Sequence, residues 1–208
     1  MSRRAADEAI KQGRVQVNGK PAEIGHDLHF SDEVTLDDKP LRRRVQTTTV
    51  MLNKPISYVC SRAGQGNQTI YELLPPQLHY LKPVGRLDKD SSGLILLTND
   101  GELANKLTHP KYQKQKIYEV ELDRPLSSVH QKSIEEGIML DDGLSALQLS
   151  GFGKNWTITM SEGRNRQIRR TLGALDYKVT KLHRTQFGEY RLENLPKGKW
   201  KNTKNMLE

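Results

Sequence analysis

An apolar run, Leu94-Ile95-Leu96-Leu97, constrains this chain more than any other feature, because it follows directly on a loop crowded with charge. The whole stretch, from Val84 to Gly101, reads VGRLDKDSSGLILLTNDG. Consecutive apolar residues between turn signals predict a strand covered on both faces, so the loop before it is tied to the core and can hold a side chain in fixed geometry. That loop carries Asp88 between Arg86 and Lys89, with Asp90 next, and ends at Gly93. Spacing alone makes these charges an ordinary solvated turn.

With 208 residues, 35% of them hydrophobic, the chain can bury one good core and has about forty residues left for a small appendage. The single cysteine, Cys60, excludes an intramolecular disulfide and a multi-cysteine metal site and fits a reducing cytoplasm. The six histidines show no paired spacing, so no metal site is expected. No glycine-rich loop runs into Lys-Ser or Lys-Thr, which argues against a phosphate-cradling nucleotidase. The start lacks the apolar segment of a secretory signal, and no apolar run approaches bilayer length, so a soluble protein without membrane association is expected.

The formal net charge is +8, and its placement is informative. From Ser161 to Lys204 there are 12 Lys and Arg against 4 Asp and Glu, so this last quarter holds the entire excess. Segregated charge with apolar periodicity predicts a folded basic face rather than a solvated tail. Nucleic acid is the leading partner and an anionic membrane surface the second.

Along the chain, Ser2 can cap a helix to about Gln12 that Gly13 ends. Alternation in Arg14–Val17 followed by Asn18-Gly19 predicts a hairpin, and Glu33–Leu36 a further strand. Lys39–Arg44 reads as a basic connector. Val50–Leu52 is expected to be a strand, Ile56–Cys60 a second extended piece, and Thr69–Leu74 a short helix stopped by Pro75-Pro76. Gly101–Pro110 and Ser127–Glu136 read as helices, and Lys116–Leu122, Ser145–Leu149, Trp156–Met160 and Lys178–Phe187 as strands. Tyr118 falls on the apolar side of its strand, where tyrosine is most often plain core. Ile168, Leu172 and Leu175 have helical spacing within a helix expected over Arg164–Leu175, whose arginines oppose the helix dipole.

Gly85-Arg86-Leu87-Asp88 with Ser91-Ser92-Gly93-Leu94 and Leu97–Gly101 resembles the active-site motif of the bacterial ribosomal pseudouridine synthases of the small-subunit type. Glu162-Gly163-Arg164-Asn165-Arg166-Gln167-Ile168-Arg169-Arg170 resembles the third motif of that family. Asn53-Lys54-Pro55 resembles the opening of its catalytic domain. Ser2-Arg3-Arg4 and Gly13–Lys20 resemble its S4-like RNA-binding module, although the helix that relatives carry before Ser-Arg-Arg is missing, so this module is expected to be truncated or reduced.

The resemblance implies an α+β protein with a mixed, mainly antiparallel sheet, an S4-like module over residues 1–44 and a catalytic domain over 48–204. It implies conversion of a specific uridine in ribosomal RNA to pseudouridine: uracil is detached at its ring nitrogen, turned and rejoined through a ring carbon. No redox step occurs, so no cofactor is implied. Asp88 is the expected essential residue; a carboxylate with a reference pKa of about 3.9 is ionised at neutral pH and can serve as nucleophile or base. Tyr118 is expected against the target base, Ile168 near it, and Arg169 paired with Asp88. Arg86 is expected to fill the space that the flipped nucleotide vacates. Further RNA contacts are expected from Arg3, Arg4, Lys54, Arg164, Arg166 and Arg170. The protein is expected to be a cytoplasmic monomer. The alternative is a catalytically silent RNA-binding or ribosome-assembly protein.

Overall fold

The computed structural model describes residues 1, 3–29, 31–41 and 46–203, and the chain divides after Gln46. In the first unit, helix α1 (Arg3–Lys11) is followed by β1 (Val15–Val17), β2 (Lys20–Pro21), β3 (Val34–Leu36) and β4 (Lys39–Pro40). The strands form one antiparallel sheet in the order β2-β1-β3-β4. Asn18 and Gly19 have φ of 51° and 75°, which matches the twist of the strands they join. Lys39-Pro40, read above as connector, belongs to this sheet because Asp37 and Asp38 take the same left-handed conformation and close a second hairpin. Ala9 and Val17 supply its buried apolar residues. Ser2 and Arg42–Arg44 lie outside the described residues.

The second unit contains β5 (Thr49–Lys54), β6 (Lys82–Pro83), β7 (Ser92–Thr98), α2 (Gly101–Thr108), β8 (Lys116–Leu122), α3 (Ser128–Glu136), β9 (Ile138–Leu140), β10 (Gly143–Ser145), β11 (Gln148–Phe152), β12 (Asn155–Met160), α4 (Gln167–Gly173), β13 (Val179–Phe187), β14 (Tyr190–Arg191) and β15 (Trp200–Asn202). Its main sheet runs β11-β12-β8-β13-β7-β5-β15, with β14 on β13 and β6 on β7, and β9 pairs with β10 apart from it. β13 and β7 pair in parallel, and the other pairs are antiparallel. This is the α+β fold with a mixed, mainly antiparallel sheet.

Every residue of β7 is buried. Its alternation sends Ile95 and Leu97 into a core with Val50, Leu52, Tyr118 and Val120, and Leu94 and Leu96 into a second with Met51, Phe187 and Tyr190. Helix α2 begins where the Asp100 carboxylate accepts from Glu102 N at 2.9 Å and Leu103 N at 3.1 Å.

Several expected elements differ. Ile56–Cys60 stays out of the sheet, with Val59 in an isolated parallel bridge to Thr69, since Pro55 offers no N–H and Ser57 turns at φ 74°. Thr69–Leu74 tightens to a 3₁₀ turn, Ile70–Leu73. Ser145–Leu149 splits between β10 and β11. Helix α4 starts late because Arg166 is left-handed at φ 48° and ψ 30°, so Arg164 precedes the helix and Arg166 occupies its N-cap.

Candidate active site

The loop before β7 is held from behind through its backbone. Lys54, the last residue of β5, is fully buried, and its Nζ donates to the carbonyls of Pro55 at 2.9 Å, Asp88 at 3.0 Å and Ser91 at 2.6 Å. Burial pushes its pKa down from 10.5 to about 8. Cys60 Sγ donates to Leu87 O at 3.3 Å and receives Leu87 N at 3.4 Å, while Ser57 N donates to Lys89 O at 2.7 Å. Gly93 has φ +106°, and a Cβ there would lie 2.3 Å from Arg184 O, so only glycine lets β7 approach β13 this closely. The Asp88 carboxylate is left about one-third exposed, at 32%.

Across from it stands the segment 162–170. Arg166 grips Asp90 with two hydrogen bonds of 3.0 Å and reaches Asp88 Oδ2 at 3.5 Å. These bonds, with the charges of Arg169 and Arg166, hold the Asp90 carboxyl below its ordinary range. Arg169 does not make the expected pair with Asp88. Its Nη1 donates to Val179 O at 2.9 Å and its Nη2 to Asp90 O at 2.9 Å, while Nε lies 3.3 Å from the Asp90 carboxylate. Anchored on Val179, the guanidinium meets Asp90 first, and the reach to Asp88 falls to Arg166.

Between the two segments lies a cleft of about 510 Å³, in the size range of small-molecule sites. Asp88, Arg86 and Tyr118 line it, with apolar walls from Ile168, Leu182, Met160 and Phe187. Tyr118 is buried in the core as expected of its strand and still reaches the cleft. Arg86 is exposed. The structure thus brings Asp88, Tyr118, Ile168, Arg86 and Arg166 to one cavity.

Three of the expected RNA contacts, Lys54, Arg164 and Arg170, have partners within the fold. Lys54 is sealed in the interior and cannot meet a ligand. Arg164 spends its donors on Asp142, on the carbonyls of Gly143 and Leu144 at 3.0 and 2.8 Å, and on Glu162. Arg170 is clamped by Asp141, Asp142 and Asn165 O. Acids of the β9–β10 turn therefore neutralise both arginines. Arg3 opens α1, and Arg4 is exposed on it. Two cations at the cleft were missed. Lys116 lies 5.3 Å and Arg184 4.9 Å from the centre of the Phe187 ring. For Arg184 a signal existed: two residues after Leu182 it takes the same face of β13, where an apolar residue is expected.

Residues 48–174 match the family model described as RNA pseudouridylate synthase, and residues 2–34 match that of the S4 domain. The chain belongs to the RNA pseudouridylate synthase family. It is an isomerase that acts on RNA. Its relatives include the ribosomal large subunit pseudouridine synthase B of Bacillus subtilis (strain 168), 36% identical over 95% of this chain and 84% of that one. Another is the ribosomal small subunit pseudouridine synthase A of Pasteurella multocida (strain Pm70), 34% identical over 97% and 90%. Among solved structures, a pseudouridylate synthase crystal structure superposes with a TM-score of 0.73 at 34% identity, covering 98% of this chain and 91% of that one. In an RNA pseudouridylate synthase the target uridine must leave its stack to meet the enzyme's groups, and a cleft with apolar walls and a carboxylate suits such a base.

Proposed function

We propose that this synthase isomerises a uridine of ribosomal RNA to pseudouridine, with Asp88 as the group that acts on the nucleoside. The observation that carries the reading is the Asp88 carboxylate set on the cleft beside Tyr118 and Ile168 while Lys54 and Cys60 lock the backbone of its loop. Relatives named for ribosomal subunits, and the S4 match before the catalytic unit, support ribosomal RNA as substrate.

In this reading uracil enters against Tyr118 and Ile168, Arg86 fills the gap left in the RNA, and Arg166 orients Asp88 through its 3.5 Å contact. Arg166 and Arg169 both bear on Asp90, so Asp90 ties the two segments together. Residues 1–44 form an RNA-docking module and residues 48–204 the catalytic domain of a cytoplasmic monomer that needs no cofactor. Pseudouridine mapping at nucleotide resolution, in ribosomal RNA from cells with and without the protein, tests this. One uridine should lose its modification in the knockout, and an unchanged map would overturn the reading. Removal of Met1 to Arg44 should leave a folded core that modifies short RNA but loses affinity for the full site.

A further inference from the structure

One charge at the cleft has no use in the account above. Arg184 is 2% exposed, and among the described residues no carboxylate lies within ion-pair distance of it. Its Nε donates to Leu94 O at 2.8 Å, whereas Nη2 is buried without a hydrogen-bond partner. Lys116, over the same Phe187 ring, donates to the neutral carbonyls of Ser161 and Glu162 at 3.3 Å. Burial and the charge of Arg184 push the Lys116 pKa down. A buried cation without a counter-ion is costly, and a methionine or leucine would pack there more cheaply. An anion that arises in the cleft would compensate it.

We propose that Arg184 is a catalytic residue that stabilises the negative charge uracil carries while it is detached from ribose. The proposal rests on the isomerase reading. As the bond from N1 to C1′ breaks, its electron pair stays with the ring, spread over N1 and the two carbonyl oxygens. C5 then bonds to C1′, the proton on C5 departs and N1 gains one, so composition is unchanged and no oxidant is needed. A guanidinium fixed in an apolar pocket stabilises such charge far better than water does, because it is already oriented and poorly screened. Its position favours the base over a phosphate. Arg184 is the cross-strand neighbour of Tyr118, among Leu182, Ile168 and Phe187, which suit a flat ring. A backbone phosphate would stay nearer solvent, where Arg86 is exposed.

The test is single-turnover kinetics of the full chain on ribosomal RNA transcripts carrying uridine or 5-fluorouridine at the target, scored as loss of the N-glycosidic linkage. Fluorine withdraws charge, so the fluorinated uracil anion depends less on a cation. Arg184→Met should slow the uridine reaction by about 100-fold or more and the fluorinated one markedly less. RNA affinity and its salt dependence should not change, and Arg184→Lys should recover part of the rate. Equal slowing of both substrates at unchanged affinity would make the residue structural and overturn the proposal. A salt dependence weakened by about one counterion would assign it to a phosphate and overturn it equally. Should Arg184→Met fold poorly, the same comparison of substrates is read on Arg184→Lys. Wild-type protein without isomerase activity would sink the function itself, and a fully active Asp88→Asn the role of Asp88, whereas the Arg184 proposal fails with the wild type active and Asp88→Asn inactive.

Discussion

The two segments that meet at the cleft are held by opposite means. The loop Arg86–Ser91 is gripped through its backbone, by Lys54, Cys60 and Ser57, so the side chains of Arg86 and Asp88 remain available. The segment 162–170 is gripped through its side chains: Arg164 and Arg170 are tied to Asp141 and Asp142, and Gln167 bridges Glu162 and Ser145. A guanidinium already paired with carboxylates of the fold has less charge and fewer donors to offer a phosphate. Counting arginines therefore overstates the positive charge that this segment offers, and Arg166, at 43% exposure, is the most accessible of its four.

The sharpest way to break this contrast is Asp88→Asn, which keeps shape and removes charge. Loss of a nucleophile or base should cut pseudouridine formation by at least about 1,000-fold. RNA affinity and melting temperature should stay close to wild type, since phosphate contacts supply most of the binding. Substantial tritium release from this variant would put the chemistry elsewhere.

Lys54→Met attacks the loop from behind. It leaves carbonyls without their donor and relieves a buried charge, for a net loss of roughly 2 kcal/mol. Turnover should fall more than RNA affinity because Asp88 loses its fixed direction. The pH dependence has a definite sign: the folded value of about 8 lies below the ordinary 10.5. The unfolded chain thus binds the Lys54 proton more tightly, and the wild type gains stability relative to the variant as pH rises from 8 to 10.5. Unfolding curves at both ends of that window that keep a constant gap would contradict the burial of this charge.

A smaller effect separates the arginines. Arg164→Gln and Arg170→Gln should lower the melting temperature and leave the salt dependence of RNA binding alone. Arg86→Gln should do the reverse and flatten that dependence by about one counterion. Smallest of all is the Arg166–Asp90 contact, whose groups are both more than 40% exposed. Its stabilisation is present above the ordinary aspartate range and lost as pH falls through the depressed Asp90 value. Arg166→Gln should move that titration upward in a carboxyl NMR measurement, and an unmoved Asp90 would mean that the pair does not form in solution.

Local pattern made much of this legible. The apolar run of β7, the alternation of β8 and β12, and the Asn-Gly turn each carry their own period, and the order of motifs pointed to Asp88, Tyr118 and Ile168. What stayed illegible was decided at long range. Lys54 next to a proline looks like a surface cation until residues 88 and 91 close over it. Arg164 and Arg170 look free until Asp141 and Asp142 arrive from another hairpin. Helix α4 looked longer because nothing in the sequence marks Arg166 for a left-handed backbone, which is rare outside glycine, asparagine and aspartate.

The order of the main sheet has a consequence for how the molecule comes into being. One half, β11-β12-β8, is drawn from residues 116–160 and carries Tyr118; in the other, β7-β5-β15, strand β7 continues directly from the Asp88 loop. β13 lies between them and is made of residues 179–187, so the halves stay separate until nearly the whole chain has left the ribosome. Long-range closure of this kind is slow. A nascent chain stalled short of β13 would hold Asp88 and Tyr118 on two unjoined pieces, and the enzyme would be inert until its own synthesis was almost complete.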